Sequence, residues 1–228
     1  MKKLFLLSLL GLFIASLRAE YVQKSRREEL VEKVESCEAV LQEFMAKPET
    51  AIPASVLQRA KAIVILNQVK AGLLFGFKDG YGVIMVRQAG GQWSIPVLIS
   101  AGEGSIGLQA GINTAESILI FTEDQTARLL FNQRFNLGAD AKAVAGPRAI
   151  ERENENVPLI NAPVLVYSKA KGLFAGATVK AGYLARNDDD NRELYHTQYT
   201  LPEMLYSNWV TPVDEVKPLM TYVQKLAP

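Results

Sequence analysis

The chain has 228 residues, 49% of them apolar and 21% charged, with a formal charge of +1. That length supports one domain with a sizeable core, and the near balance of charge gives no support for a nucleic-acid binder, which needs a basic surface to neutralise phosphates. The single cysteine, Cys37, excludes an intramolecular disulfide in any compartment.

The first residues, MKKLFLLSLLGLFIASLRA, place Lys2 and Lys3 before an uncharged run from Leu4 to Leu17, with the small Ala19 at a cleavage point. This is the layout of a secretory signal peptide. The apolar run is shorter than the roughly 20 residues a spanning helix requires. Cleavage after Ala19 is therefore expected, with export to the periplasm or beyond. Losing residues 1–19 removes Lys2, Lys3 and Arg18 and no acid, which leaves a formal charge of −2.

From Ser25 to Lys47 the residues Leu30, Val31, Val34, Cys37, Leu41, Phe44 and Met45 recur at intervals of three and four, which predicts an amphipathic helix with Cys37 in the core. Pro53 at a first turn starts a short helix over ASVLQRA. The branched run AIVILNQV that follows is a strand. LLFGF, YGVIMVRQ and QWSIPVLISA are strand-like runs, the last two joined at a hairpin marked by Gly90 and Gly91. SIGLQAGI alternates and ESILIF is apolar, so both read as strands.

Thr122, with acids in the first turn behind it, caps a predicted helix through TARLLFNQRF. LGADAKAVAGPRAIERENENVP reads as an irregular connection. APVLVYS and GLFAGATVKAGYL resume the strands, NDDDN turns the chain and RELYHTQY returns it as a strand. Thr200 caps a short helix around Met204, and a last amphipathic helix begins near Thr211.

Glycines recur in three related settings: Gly72, Gly76 and Gly80; Gly104, Gly107 and Gly111; Gly172, Gly176 and Gly182. VKAGLLFGF and SKAKGLFAG echo one another. Glycine inside a strand marks a sharp bend or the close approach of another backbone. The expected fold is therefore α+β: a strongly curved, mostly antiparallel sheet or partly closed barrel, with an N-terminal amphipathic helix and peripheral helices.

Several local matches to chemical motifs fail on context. GEGSIG, Gly102 to Gly107, satisfies the dinucleotide pattern G-x-G-x-x-G, but the apolar alternation beyond it is that of a strand and a Rossmann helix there would contain Gly111. Gly72, Gly76 and Gly80 have the spacing of packed membrane helices, yet Lys78 and Asp79 lie among them. Ser105 lacks the first glycine of a nucleophile elbow. His196 is the only histidine, so a two-histidine metal site is excluded and the residue reads as a strand position. Asp188, Asp189, Asp190 and Asn191 carry oxygen ligands suited to a hard cation, but the glycine and glutamate of an EF-hand are missing, and a solvated turn is the simpler reading. Lys169 and Lys171 share one face of a strand, with Lys180 and Arg186 beyond; they form either a small patch for phosphate or ordinary solubilising lysines.

The ordered set of WSIP (Trp93 to Pro96), AGEGSIGLQAG, the Ala145-Gly146-Pro147 step, YSKAKGLFAG and Asn191 to Tyr195 resembles the SYLF domain, a family that includes the actin-binding domain of yeast endocytic proteins. The likeness runs from about Glu35 to Tyr206. It implies a lipid-binding domain without enzymatic activity or cofactor, in which an amphipathic N-terminal helix contributes. On that resemblance the chain divides into a signal peptide (1–19), an N-terminal helix (20–47), a SYLF-like domain (48–210) and a C-terminal helix (211–228). The expected partner is anionic phospholipid or a membrane surface, met by Lys169, Lys171, Lys180, Lys24, Arg26 and Arg27. An envelope protein docked through the N-terminal helix is the alternative, suited to the acidic polar face of that helix. Nucleic acid is not expected, and actin is not carried over to an exported chain.

Overall fold

The computed structural model describes residues 24–71, 75–106, 113–131, 134–136, 143–145, 163–169 and 182–228. Ser25 opens helix α1 (Arg26–Ala46) with a capping box: its Oγ accepts from the Glu28 amide at 3.2 Å and Glu28 Oε2 accepts from the Ser25 amide at 2.7 Å. Helix α2 (Ala54–Gln58) follows Pro53. Four long strands come next: β1 (Ala62–Ala71), β2 (Phe75–Val86), β3 (Val97–Ile106) and β4 (Asn113–Phe121). After α3 (Asp124–Arg128) and a 3-10 turn (Leu129–Phe131) come β5 (Arg134–Asn136), β6 (Ala143–Ala145), β7 (Val164–Lys169) and β8 (Gly182–Arg186). The chain closes with α4 (Asp188–Tyr195), α5 (Leu201–Tyr206), a 3-10 turn at Asp214–Val216 and α6 (Lys217–Leu226).

The eight strands form one sheet in the order β5-β8-β3-β2-β1-β4-β7-β6. Every pairing is antiparallel except β6 with β7. Chain length alone requires this sheet to curl. Laid flat, its outer strands would stand about 34 Å apart. Yet β5 and β6 are those outer strands, and residues 137–142 between them reach at most about 25 Å. The sheet is accordingly a strongly curved half-barrel, as the recurring glycines predict.

The two ends of the sheet differ in composition. Where β1 begins, Ala62–Leu66, Val83–Val86, Val97–Ile99 and Ile118–Phe121 are buried at every position, on both faces. Such strands read as continuous apolar runs rather than alternations. Helix α1 covers one face here with Leu30, Val34, Cys37, Val40, Leu41 and Phe44, all at most 4% exposed. Each large side chain among these contributes about 1.5–3 kcal/mol of burial. Helices α2, α3 and α4 join their strands at this same end, and α5 meets the β2–β3 turn there, where Gln88 Nε2 donates to the Leu205 carbonyl at 3.0 Å.

Toward the other end the strands carry Gly76, Gly80, Gly102, Gly104 and Gly182, while Gly82 faces Leu66 and Ile99 at the edge of the buried end. A Cβ on Gly82 would lie 2.4 Å from the Ile65 carbonyl oxygen, so no larger residue fits between β1 and β2. The dinucleotide-like Gly102–Ile106 lies within β3, which removes the helix that a cofactor loop requires.

Several expectations are corrected. LLFGF and YGVIMV are not separate runs, since β2 is continuous from Phe75 to Val86. The helix after Thr122 ends at Arg128, and Arg134–Asn136 pairs with β8 instead. Ala143–Ala145, inside the supposed irregular connection, is a strand beside β7. NDDDN is not a turn: Asn187 caps α4 by accepting from the Asp190 amide at 3.3 Å, and the three aspartates fill its first turn, where the helix dipole favours negative charge. RELY is therefore helical, and His196 is not a strand residue but the left-handed C-cap of α4, with φ 49°.

Candidate functional site

The sequence placed Lys24, Arg26 and Arg27 at a basic start of α1. Lys24 pairs with Glu32 on the exposed surface. Arg26 reaches Glu29 at 3.2 Å and Asp190 of α4 at 2.5 Å, and Arg27 reaches Glu215 at 2.8 Å. Lys33 adds a second contact to Asp190 at 3.3 Å and lies 5.7 Å from the Tyr81 ring centre.

These cations hold α1 to α4 and to the turn before α6. Their electrostatics fit that role. Hydrogen bonding to Asp190 and Glu215 raises the Arg26 and Arg27 guanidinium values. Burial pushes the Asp190 carboxyl up, but the Arg26 hydrogen bond, the Lys33 charge and the Asn187 hydrogen bond outweigh it and hold the group below the usual carboxylate range.

Beneath α1 lies a polar seam. Ser36 Oγ and Tyr81 Oη are 2.9 Å apart, and Asn67 Nδ2 donates to Tyr81 Oη at 3.3 Å. Asn67, Tyr81 and Ser100 are register partners across β1, β2 and β3, and Asn187 Nδ2 approaches Ser100 Oγ at 3.5 Å. Asn191 is fully buried. Its side chain accepts from the Leu98 amide at 2.7 Å and donates to the Leu98 carbonyl at 2.8 Å, extending the β3 ladder one residue past the end of β8. Tyr195 Oη donates to the Pro96 carbonyl. The Asn191 to Tyr195 motif thus docks α4 onto β3.

The aspartates that suggested a cation site are all paired with bases: Asp188 with Arg186 at 2.5 Å, Asp189 with Arg192 at 3.0 Å, and Asp190 as above. Cys37 is fully buried, and burial pushes its thiol up to about 12. Trp209 and Tyr199 are 63% and 37% exposed and in ring contact, with centroids 5.2 Å apart; they stand at the helix-covered end, on either side of α5.

The remaining sequence-named cations lead to the glycine end. Lys169 closes β7 opposite Glu116 of β4, while Lys171 and Lys180 lie outside the described residues. Lys70 and Lys78, which the sequence reading did not single out, are direct register partners at this end, and Lys78 also faces Glu103 of β3. The signal that could have found them is the echo of VKAGLLFGF in SKAKGLFAG.

Residues 102–226 match the family described as Ysc84, Las17-binding protein actin regulator. The chain belongs to the Ysc84, or SYLF, family. It is 33% identical to LAS seventeen-binding protein 3 of Saccharomyces cerevisiae over 179 residues, 77% of this chain and 39% of that protein. It is 29% identical to SH3 domain-containing YSC84-like protein 1 of Homo sapiens over 169 residues, 73% of this chain and 49% of that protein. Identity to SH3 domain-containing protein PJ696.02 of Schizosaccharomyces pombe is 32% over 164 residues, 71% of this chain and 38% of the other. The Ysc84-family chain described here thus spans less than half the length of each of these relatives.

Proposed function

We propose that this Ysc84-family chain is a non-enzymatic binder of anionic phospholipid surfaces, exported by removal of residues 1–19. The observation that carries the reading is the distribution of positive charge. The α1 cations Arg26, Arg27 and Lys33 are matched to carboxylates within the fold, and the strand positions of Lys70, Lys78 and Lys169 fall at one end of the sheet, with Lys78 in register with Glu103 and Lys169 with Glu116. Like charges at facing register positions, as at 70 and 78, disfavour one another across a strand pair. Lysine binds phosphate as a point charge, without the fixed fork of arginine, which suits a lipid surface better than one shaped ligand.

The test is co-sedimentation of the mature chain with vesicles of phosphatidylcholine mixed with phosphatidylglycerol. Retention is expected at low salt and should weaken as salt screens the lysines. Sedimentation no better than with phosphatidylcholine alone overturns the reading. Amino-terminal sequencing of envelope material tests the export step, with Glu20 as the expected first residue.

A protein partner is the second reading, favoured by the exposed Trp209–Tyr199 pair and by the family description as an actin regulator. Such a partner would not use the apolar stripe of α1, which is in the core. Trp209→Ala separates the readings: it weakens protein capture in the second and leaves vesicle retention unchanged in the first.

A further inference from the structure

We infer that Arg134, laid on the Tyr183 ring over Gly102, is a binding site for a phosphoryl anion on the outer face of the sheet. This rests on the lipid reading above and adds to its point charges one forked site.

The site is built from β5 upward. In Arg134–Asn136 only the middle residue is buried. Phe135 is 1% exposed and meets Phe121 of β4, with ring centroids 6.1 Å apart, although β4 and β5 are not neighbours in the strand order. Phe135 therefore faces the inside of the curl. Arg134, one position away on an alternating strand, faces outward. The register agrees: Tyr81, Ser100, Ala185 and Arg134 form one row across β2, β3, β8 and β5, and Tyr81 meets Ser36 of α1. Arg134 thus shares the face that carries α1, three strands from Tyr81 and about 14 Å along the sheet.

Tyr183 points to the same face as Ala185 and stands diagonally across from Arg134, a separation that long and aromatic side chains bridge. Its register partner in β3 is Gly102. A Cβ there would lie 2.5 Å from Tyr183 Oη and 2.6 Å from its Cζ, so the ring lies across the glycine and any side chain at 102 would displace it. The Arg134 guanidinium carbon is 3.8 Å from the centre of that ring, a close cation–π contact. Gly102, the first glycine of the dinucleotide-like match, is the floor of this stack.

Arg134 is held in place and left uncommitted. Arg26, Arg27, Arg128, Arg186 and Arg192 each pair with a carboxylate, and Arg87 donates to three carbonyls. Among the described residues the exposed Arg134 side chain makes no ion pair and no hydrogen bond; Arg59 makes none either, but it rests on no ring. A stacked guanidinium keeps its donors free in a fixed fork that matches two phosphoryl oxygens. Because the side chain is already ordered, less rotamer freedom is lost when an anion arrives. An acidic peptide could meet the same fork, but β5 has three residues and offers an added strand little ladder to pair with. A phosphoryl group needs only the fork.

The experiment follows the Arg134 Nε–Hε signal of the native mature chain by NMR, assigned by its loss in Arg134→Gln. Inorganic phosphate, monomeric dihexanoyl phosphatidylglycerol and a polyglutamate peptide are titrated separately. Both phosphoryl compounds are expected to shift the signal saturably, the lipid at the lower concentration, and the peptide to leave it in place. On phosphatidylglycerol-containing vesicles, Arg134→Gln should weaken retention about fivefold. Arg134→Lys should recover only part of it, and Tyr183→Leu, which keeps every charge, should resemble Arg134→Gln. A signal that neither phosphoryl compound moves overturns the inference, and the lipid reading stands if vesicles still retain the chain. A shift by phosphate without vesicle retention keeps the site, gives it to a soluble anion and removes the lipid reading. Full recovery in Arg134→Lys leaves only a bulk charge, and a stronger shift by polyglutamate assigns an acidic protein; either result overturns the inference.

Discussion

The two ends of this sheet are built from the same strands and from different residues. Over Ala62–Leu66 and Val83–Val86 every side chain is buried, and the helices join the strands there. About 36 Å of strand separates Val86 from Phe75, and there the sequence turns to glycine, lysine and phenylalanine. Stability is concentrated at the first end, so substitutions there should lower stability and leave vesicle retention by the folded fraction unchanged.

The largest effect expected is at Phe44, at 1% exposure in the α1 core. Phe44→Ala should cost about 3–5 kcal/mol, a fall in Tm of roughly 10 °C for a domain this size, while the folded fraction retains vesicle binding. Loss of binding in the folded fraction would break the separation.

Asn191→Ala comes next. It strips Leu98 of partners for both its amide and its carbonyl, a loss of about 1–3 kcal/mol by chemical denaturation, again with lipid retention unchanged. Gly82→Ala should cost a similar amount, about 1–3 kcal/mol, because the new methyl meets the Ile65 carbonyl.

The α1 ion pairs predict a pH dependence. Asp190 has a depressed value in the folded chain, so its contribution is present above the unfolded carboxylate value and is lost as pH falls through the folded one. Acid unfolding below about pH 4 should begin at a higher pH in Arg26→Gln than in the native chain. The smallest effect is a gain: His196→Gly replaces a side chain held at φ 49° and should stabilise by up to about 1 kcal/mol.

Much of the helix end was legible because its signals are local. The Leu30-to-Phe44 spacing and the continuous apolar strands each name their own structure. Thr200, with Glu203 three residues on, likewise opens α5 by a capping box. Two kinds of information were not local. Asp and Asn serve turns and helix N-termini equally, and only the docking of Asn191 on Leu98 shows that NDDDN begins a helix. Likewise β5 and β6 are three-residue strands whose existence depends on neighbours distant in sequence. For the candidate site, the sequence pointed at Arg26 and Arg27 because they crowd one helix end. Their partners, Asp190 and Glu215, lie more than 150 residues away along the chain. Lys70 and Lys78 were not linked for the same reason, since strand register, not sequence distance, makes them neighbours.

The lipid reading is tested most directly by co-sedimentation of the mature chain with vesicles of phosphatidylcholine mixed with phosphatidylglycerol. The account predicts retention at low salt that falls as salt rises. Retention no greater than on phosphatidylcholine alone would contradict it.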